Sequence, residues 1–374
     1  MHTHIKKNEG LAGVVAGDSA ICLCGTSEHG LWYRGYQIDD LVIHASFEET
    51  AWLLTRGELP TKQELQTYRT KLHALRDLSL QVKKTLEILP KTASPMDVLR
   101  TGVSALGSFE PEKEFSRQLD IADHLISCLS SIILYWWKFH QTQQPPQLSS
   151  EENSIAANFL AVLSGKPAND LFSKALNTSL ILYAEHEFNA STFVVRTIAS
   201  TLSDFYSCIC GGIGALRGPL HGGANESAME MIQRFKTEEE AEVGVMHLLG
   251  KHQLIMGFGH RVYKTSDPRS EVMKTWAHKL SLHAPDGFLF SIAQRIERVM
   301  WEEKRLFPNL DFYSGLVYHY CQIPRSLFTP LFAISRIAGW AAHVLEQRAH
   351  NRIIRPVSHY IGPEPKQWHP LEQR

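Results

Sequence analysis

Helical periodicity runs through most of the chain and constrains its fold more than any other feature. Three early helix starts share the pattern of a capping box, a serine or threonine followed three residues later by an acid: Ser46 with Glu49, Thr61 with Glu64, and Ser94 with Asp97. Gly107 is the predicted end of the third helix, since glycine is typical of the position just after a helix. The sequence therefore predicts a mainly α fold.

Two regions depart from the helical pattern. Near the N-terminus, the segments "SAICLCG" and "GLWYRGY" resemble strands and are separated by the turn-like "TSEH", which predicts one small β-hairpin and no sheet core. The run "CGGIGALRGPLHGGAN", from Cys210 to Asn225, contains six glycines and a proline. It predicts a break between helices that can serve as a hinge.

Composition limits the classes of function. The 374 residues are 44% hydrophobic and 21% charged with a net charge of −1, which indicates a globular protein without a surface for nucleic acid or membrane. The N-terminal segment lacks the apolar part of a signal peptide, and the apolar stretch from Leu125 to Trp137 is too short to span a bilayer and predicts a buried helix. We expect a cytoplasmic protein with its six cysteines reduced.

Familiar site motifs are incomplete. "GGIGALRG" approaches the dinucleotide-binding fingerprint, but Arg217 replaces its third glycine and no strand precedes it. The chain lacks the G-x-S-x-G, H-E-x-x-H and Walker A patterns, and His247 and His252 are five residues apart, a spacing that does not share a helix face. The sequence predicts no metal site.

The stretch "IMGFGHRVYKTSDPRSE" opens a helix with an unusual charge. Asp267 is the predicted N-cap and Pro268 the first helical residue, so Arg269 lies in the first turn, where the helix dipole favours negative charge. His260 stands nearby between two glycines, where the backbone can approach a ligand closely. An anion close to Arg269 is therefore expected.

Three arginines are expected to be short of local ion-pair partners: Arg269, Arg336 and Arg355. Arg336 lies in "LFTPLFAISRIAGWAAHVL", which is apolar on nearly every face and predicts burial. A buried arginine is normally paired, either with a distant Asp or Glu or with a ligand. Three such arginines favour a small ligand with several carboxylates.

His221, His186 and Asp311 each have a structural and a functional interpretation. His221 precedes a helix expected to start near Asn225; its ring is either a satisfied loop histidine or a neutral hydrogen-bond donor. His186, in "YAEHEFNAST", is by itself a core-facing helical histidine. Asp311 is either the N-cap of a helix from Phe312 to Tyr320 or a desolvated general base with a raised pKa.

Four motifs together resemble the citrate synthase family: "GPLHGGANE", "MGFGHRVYK…DPR", "FPNLDFYSG" and "HEFNAST". The resemblance runs from about Gly10 to Gly362, in the family's order. "YRGYQIDDL", "SPMDVLRTGVSALG" and "RIIRPVSHYIGP" are most similar to the bacterial 2-methylcitrate synthases. Cys24, where relatives carry valine, departs from the pattern at a place that we expect to be remote from the chemistry.

The resemblance implies roles for individual residues. Asp311 would remove the α-proton of an acyl-CoA, His221 would hydrogen-bond the thioester oxygen, and His260 would protonate the ketone of oxaloacetate. Four residues would bind oxaloacetate: His186, Arg269, Arg336 and Arg355, the last within one chain or across a dimer interface. Five would meet CoA through the backbone: Gln253, Leu254, Ile255, Met256 and Gly257. Three are candidate partners of its phosphates: Lys251, Arg261 and Lys264.

The resemblance also implies the organisation and the partners of the protein. A large helical domain would comprise residues 1–222 and 323–374, and a small domain residues 223–322, with His260 and Asp311. The substrates would be oxaloacetate and propionyl-CoA or acetyl-CoA, in a homodimer with no permanently bound cofactor. Because one methylene changes discrimination by only about 1–3 kcal/mol, the sequence leaves both acyl groups open. A non-catalytic scaffold is disfavoured by the presence of His221, His260 and Asp311.

Overall fold

The structure, a computed structural model, describes residues 9–11, 13–25 and 30–374. Its one described sheet has three antiparallel strands in the order β1 (Cys22–Cys24), β2 (Leu31–Tyr33) and β3 (Tyr36–Gln37). The predicted hairpin is confirmed as β1 and β2, in the register Leu23 opposite Trp32, and β3 extends it by one short strand. The predicted turn at 26–29 lies outside the described residues.

Helices make up most of the described chain, which confirms the mainly α fold. Their bounds are α1 (Ile38–His44), α2 (Phe47–Arg56), α3 (Lys62–Ala74), α4 (Leu80–Glu87), α5 (Pro95–Phe109), α6 (Gln118–Thr142), α7 (Ile155–Ser164), α8 (Asp170–Tyr183), α9 (Ala190–Ser200), α10 (Phe205–Leu216), α11 (Ala224–Ile232), α12 (Glu238–Gly250), α13 (Pro268–Ser281), α14 (Leu289–Lys304), α15 (Leu310–Tyr320) and α16 (Phe328–Ala349). Short 3₁₀ turns lie at Glu9–Leu11, Phe115–Arg117, Arg325–Leu327 and Leu371–Gln373.

Two of the three predicted capping boxes are present. Ser46 and Thr61 each accept a hydrogen bond from the backbone of the glutamate three residues later, and each glutamate accepts one in return. Ser94 is the N-cap of α5, but its side chain makes no capping hydrogen bond. Asp97 instead forms ion pairs with Arg100 and Arg217, so the predicted third box is wrong.

Glycines in two helices serve packing between helices. Gly107 does not end α5, which continues to Phe109; a β-carbon at Gly107 would come within 2.8 Å of Tyr206. Gly212 lies inside α10, where a β-carbon would come within 2.7 Å of Val195. The predicted break from Cys210 to Asn225 is therefore confined to residues 217–223. The first glycines of that run lie within α10, where they allow a neighbouring helix to approach closely.

Two long helices form the centre of the core. The helical segment Phe115–Thr142, which contains the apolar stretch, is long and apolar enough to cross a membrane, yet 83% of its most apolar 18 residues is buried inside the protein, which confirms the predicted buried helix. Helix α16 is buried along most of its length and packs against α2, α6, α8, α9 and α10. It places Arg336 and Phe332 in the interior, beside the end of α8.

Helices α11 to α15 pack on one another and carry two loops to the same place. The loop before α13 and the loop before α15 are joined by an antiparallel bridge between Phe258 and Pro308. Gly259 N–H donates to the Phe307 carbonyl at 2.8 Å, and Asn309 N–H donates to the Gly257 carbonyl at 2.9 Å. This pairing sets His260 close to the start of α15.

Candidate active site

Asp311 lies in the first turn of α15, and a tyrosine holds its carboxylate. Asn309 is the N-cap and accepts a hydrogen bond from Asp311 N–H at 3.0 Å, so the prediction that Asp311 caps this helix is wrong. The Tyr183 hydroxyl donates to Asp311 Oδ1 at 2.6 Å. Burial raises the pKa of Asp311 to about 6, although the Tyr183 hydrogen bond and the charges of Arg269 and Arg336 act in the opposite direction. A carboxylate with this pKa is a suitable general base near neutral pH.

His221 is neutral, and its tautomer follows from its contacts. It precedes α11, which begins at Ala224. Ser191 N–H donates to His221 Nε2 at 3.3 Å, and the Ser191 hydroxyl is 2.9 Å from the same nitrogen. Because a backbone N–H can only donate, Nε2 carries a lone pair and the ring proton is on Nδ1. Burial, followed by the charge of Arg336, lowers the pKa of His221 to about 4.

His260 has the opposite tautomer. Its Nδ1 accepts hydrogen bonds from the backbone N–H groups of Val262 at 3.1 Å and Tyr263 at 3.3 Å, which leaves the proton on Nε2. Burial, followed by the charge of Arg269, lowers the pKa of His260 to about 4. Both histidines thus present a neutral N–H donor.

His186 lies three residues after the end of α8, so its prediction as a helical residue is wrong, whereas its predicted burial is confirmed. Its ring meets that of His260 edge to face, with centroids 5.0 Å apart. Its Nε2 lies 3.1 Å from the Tyr263 hydroxyl and 3.2 Å from Cys24 Sγ. Burial lowers the pKa of His186 well below its usual value. The expectation that Cys24 is remote from the site is therefore also wrong, because the hairpin folds back onto His186.

Arg269 is buried and paired with an acid of the protein. Its Nε and Nη2 donate to the two carboxylate oxygens of Asp267, each at 2.9 Å. Asp267 also accepts Arg269 N–H at 3.1 Å as the helix N-cap, and Leu310 N–H at 3.1 Å. The expectation of an arginine without a local partner is wrong here, because one carboxylate caps α13 and neutralises its first turn. Within the described residues Arg269 Nη1 makes no hydrogen bond.

Arg336 makes no direct ion pair in the described chain, although the charge of the buried Glu185, which pairs with His343, acts on it from further away. Its side chain is 2% exposed, and Nε donates to the Tyr183 carbonyl at 2.7 Å. Its guanidinium lies 4.7 Å from the Phe332 ring centroid. Nη1 is buried without a hydrogen-bond partner in the described chain, and no carboxylate there forms an ion pair with Arg336. A buried cationic N–H without an acceptor points to an anionic ligand.

Arg355 stands apart from this cluster. It lies exposed in the extended segment that follows α16 and makes no ion pair within the described chain. Its contact with a ligand, within one chain or across a dimer, stays a prediction.

The predicted CoA segment forms part of the loop between α12 and α13. Leu254 is 81% exposed, and Gly257 has φ +91, with a position for a β-carbon only 3.0 Å from Phe312. Glycine is required there by both conformation and space. Arg261 and Lys264 lie further along the same loop and are exposed; the Lys264 ammonium donates to the Arg261 carbonyl at 2.9 Å.

The Phe332 ring lies between Tyr183, which holds Asp311, and His221. Its ring centroid lies 4.4 Å from that of Tyr183 and 6.0 Å from that of His221. Tyr183, which packs on Phe332, donates a hydrogen bond to Asp311. Leu310 N–H, at the start of α15, donates to Asp267, the partner of Arg269. The structure thus brings together the three predicted catalytic residues, His221, His260 and Asp311. Three of the four predicted oxaloacetate residues lie with them, and Arg355 does not.

Several residues of the site were missed by sequence reasoning. They are Cys24, Tyr183, Ser191, Tyr263 and Asn309. Tyr183 is the last residue of α8 and falls on its predicted apolar face. Its hydroxyl group was the one feature in the sequence that could have suggested a polar contact. Asn309 was recognisable as a helix cap two residues before Asp311.

Comparison with known proteins agrees with this geometry. The family model "Citrate synthase, C-terminal domain" matches residues 10–357. A 2-methylcitrate synthase from Shewanella oneidensis is 49% identical over 98% of this chain and 97% of its own length. A citrate synthase from Synechocystis is 38% identical over 98% of this chain and 94% of its own.

The solved structures point the same way. A ternary complex of carboxymethyl coenzyme A and oxaloacetate with citrate synthase from the archaeon Thermoplasma acidophilum has a TM-score of 0.92 and 33% identity. The match covers 99% of this chain and 100% of that one. The chain therefore belongs to the citrate synthase family, enzymes that condense an acyl-CoA with oxaloacetate.

Proposed function

We propose that the protein is a 2-methylcitrate synthase, which condenses propionyl-CoA with oxaloacetate and water to give 2-methylcitrate and CoA. The observation that supports this acyl group most is the 49% identity to the Shewanella oneidensis 2-methylcitrate synthase, against 38% to the Synechocystis citrate synthase. Citrate synthesis from acetyl-CoA is the second candidate, favoured by the TM-score of 0.92 to the Thermoplasma acidophilum citrate synthase.

In the proposed first step the carboxylate of Asp311 takes a proton from the α-carbon of the thioester. The N–H on Nδ1 of His221 donates a hydrogen bond to the thioester oxygen as negative charge develops there. An α-proton beside a thioester is weakly acidic, so the two groups must act together. Loss of one such oriented donor typically costs about 3–4 kcal/mol of transition-state stabilisation.

In the second step the enolate carbon attacks the ketone carbon of oxaloacetate. A new carbon–carbon bond forms, the ketone π electrons move to oxygen, and the N–H on Nε2 of His260 supplies the proton. Water then hydrolyses the thioester, which releases CoA and leaves a carboxylate. A neutral ring that gives up its proton becomes an imidazolate, so His260 must regain a proton during hydrolysis, and the carboxylic acid formed on Asp311 in the first step can supply it.

We propose that oxaloacetate binds between His186, Arg269 and Arg336. The buried Nη1 of Arg336 and the Nη1 of Arg269 would each donate a hydrogen bond to a carboxylate oxygen of oxaloacetate, and His186 would donate to its ketone oxygen. Arg355 would add a contact from a second copy of the chain in a homodimer. The exposed apolar residues of the C-terminal segment, Ile353, Val357, Tyr360 and Ile361, fit such an interface.

We propose that residues 223–322 form a small domain that closes on residues 1–222 and 323–374. The loop of Gln253, Leu254, Ile255, Met256 and Gly257 would meet CoA through its backbone, with Lys251, Arg261 and Lys264 near its phosphates. Residues 217–223 would be the hinge, and closure would exclude water that otherwise hydrolyses the acyl-CoA. A cytoplasmic location is consistent with these substrates.

A thiol-release assay tests the acyl preference. Purified protein is given saturating oxaloacetate and either propionyl-CoA or acetyl-CoA, and kcat/KM is measured for each. We expect propionyl-CoA to be favoured by about tenfold or more, as one methylene in an apolar pocket allows. A preference of the same size for acetyl-CoA would make the protein a citrate synthase, and release with neither would refute both.

A further inference from the structure

Two cysteines of β1 face the same side of the sheet. Side chains alternate along a strand, so Cys22 and Cys24 point one way and Leu23 points the other. Leu23 is 51% exposed, whereas both cysteines are partly buried against the body of the protein. Residues two apart in a strand have Cα atoms about 6.6 Å apart, near the upper end of the range of about 4.4–6.8 Å that a disulfide spans, so a disulfide requires the strand to contract until the two Cβ atoms are about 4 Å apart.

Cys24 lies against residues of the proposed oxaloacetate site. Its Sγ is 3.2 Å from His186 Nε2 and 3.5 Å from the Tyr263 hydroxyl, and that hydroxyl is itself 3.1 Å from His186 Nε2. The three groups form a closed triangle of hydrogen-bonding atoms. A chemical change at this thiol must therefore alter what His186 can bind.

The second C-x-C pair of the chain provides an internal contrast. Cys208 and Cys210 have the same spacing but lie in α10. In a helix, residues two apart point about 200° apart around the axis, so their sulfur atoms diverge. The same C-x-C spacing therefore places two thiols side by side in β1, at Cys22 and Cys24, but not in α10.

We propose that Cys22 and Cys24 form an oxidisable dithiol whose oxidant is a hydroperoxide, and that their disulfide switches off oxaloacetate binding at His186. The modification site itself rests on the strand geometry and on the contact with His186. Its consequence rests on the proposed function, because it presumes that His186 binds oxaloacetate.

The chemistry balances with hydrogen peroxide as the oxidant. The Cys24 thiolate attacks one peroxide oxygen, the O–O bond breaks, and Cys24 becomes a sulfenic acid while one water leaves after proton transfer. The Cys22 sulfur then attacks the sulfenic sulfur, the S–S bond forms, and a second water leaves. The two sulfur atoms lose two electrons and the peroxide gains them.

The surroundings assign the two roles. The neighbouring Cys22 thiol, the Tyr263 hydroxyl and the charge of Arg269 lower the pKa of Cys24 against its burial. The neighbouring Cys24 and burial raise the pKa of Cys22 well above its usual value. Since the thiolate is the reactive form, Cys24 would react first and Cys22 would resolve it.

Disulfide formation would move Cys24 Sγ toward Cys22 and away from His186. The strand is only three residues long, so the contraction would disturb no more than its three-residue pairing with β2. His186 would lose its sulfur contact and its fixed orientation relative to Tyr263. A misplaced hydrogen bond to a charged ligand lowers affinity by about tenfold or more.

The test uses the full-length reduced protein, treated with hydrogen peroxide and then alkylated. Peptide mass spectrometry reads the Cys22–Cys24 crosslink, and calorimetry reads oxaloacetate affinity before and after. We expect the crosslink, at least about tenfold weaker oxaloacetate binding, and full recovery with dithiothreitol. No crosslink, or a crosslink with unchanged affinity, would overturn the proposal.

Two variants separate the dithiol from other oxidation. In Cys22→Ala, Cys24 has no resolving thiol, so excess peroxide should carry it to the sulfinic acid, which dithiothreitol does not reverse. Cys210→Ala should behave as the parent protein in every measurement. Reversal by dithiothreitol in Cys22→Ala would count against Cys22 as the resolving thiol. If the reduced parent protein fails to bind oxaloacetate, the proposed function fails, while the mass measurement still decides the dithiol.

Discussion

The hydroxyl group of Tyr183 donates a hydrogen bond to Oδ1 of Asp311 at 2.6 Å, from the end of α8 to the first turn of α15. This contact fixes the carboxylate of the proposed base between two helices that are distant in the sequence. It also stabilises the ionised form and opposes the burial that raises the pKa of Asp311. The base is thereby kept usable at neutral pH.

Tyr183→Phe should raise the pKa of Asp311, because the carboxylate loses a donor while its burial remains. The base acts when ionised, so activity falls as pH decreases through about 6 in the parent protein. In the variant we expect the acid limb of the kcat/KM profile to move up by about one pH unit. The pH dependence of thiol release measures this.

Tyr318→Phe is the matched control for that variant. The Tyr318 hydroxyl is buried nearby but pairs with the Ser179 hydroxyl at 2.6 Å. Its removal should leave the acid limb in place. An equal shift in both variants would mean that burial, and not the hydrogen bond, sets the pKa of Asp311.

Asp311→Asn should abolish most turnover while keeping the fold. Loss of a general base costs roughly 10²–10⁴ in rate, which a thiol-release assay detects directly. Turnover like that of the parent protein would remove Asp311 from its role.

The same variant should be more stable at pH 8. The folded-state pKa is raised, so the carboxyl group favours folding below its unfolded value, and that contribution is lost as pH rises through about 6. Asparagine carries no charge, and the gain should approach about 3 kcal/mol above that pH and fall to about 0.5 kcal/mol at pH 4. Urea unfolding at both pH values measures the difference. Equal stability at pH 8 would contradict the raised pKa.

Arg336→Leu should weaken oxaloacetate binding by about a hundredfold, because a buried charge-assisted contact is lost. CoA affinity should stay unchanged, and the fold should tolerate the change because Arg336 has no carboxylate partner in the described chain. Isothermal titration calorimetry with each ligand separates the two. Arg76→Leu is the control, since Arg76 is equally buried but donates to the Glu152 carbonyl and to Asn158. Unaltered oxaloacetate affinity in Arg336→Leu would refute the assignment.

Asp267→Asn should destabilise the protein by roughly 3–5 kcal/mol, because it leaves the buried Arg269 without a counter-charge. The pair lowers the pKa of Asp267, so its contribution is present above the unfolded-state pKa and is lost as pH falls through the folded value. Urea unfolding at pH 7 measures the loss. Asp97→Asn breaks ion pairs that are partly exposed and should cost at most about 1 kcal/mol. Similar losses in both variants would disprove a special role for the buried pair.

Local sequence determined most of the helices of this protein. Ser46 and Thr61 cap their helices through residues three positions away, so the signal and the structure are in the same short segment. Asp267 and Pro268 start α13 for the same reason. Glycine is different: Gly107 and Gly212 look like helix ends in the sequence but lie inside helices, because the space they provide is filled by another helix.

The sequence indicated several titratable residues of the site, but the contacts among them were decided by the tertiary structure. The sequence by itself marked His221, His260, Asp311 and Arg336, since unusual residue types in unusual surroundings are visible along the chain. It could not show that Tyr183 holds Asp311 or that Cys24 touches His186, because those contacts join residues more than a hundred positions apart. Hydrogen bonds and ion pairs act over a few ångströms in space, and only the packing of α8, α15 and the hairpin brings these atoms within that distance.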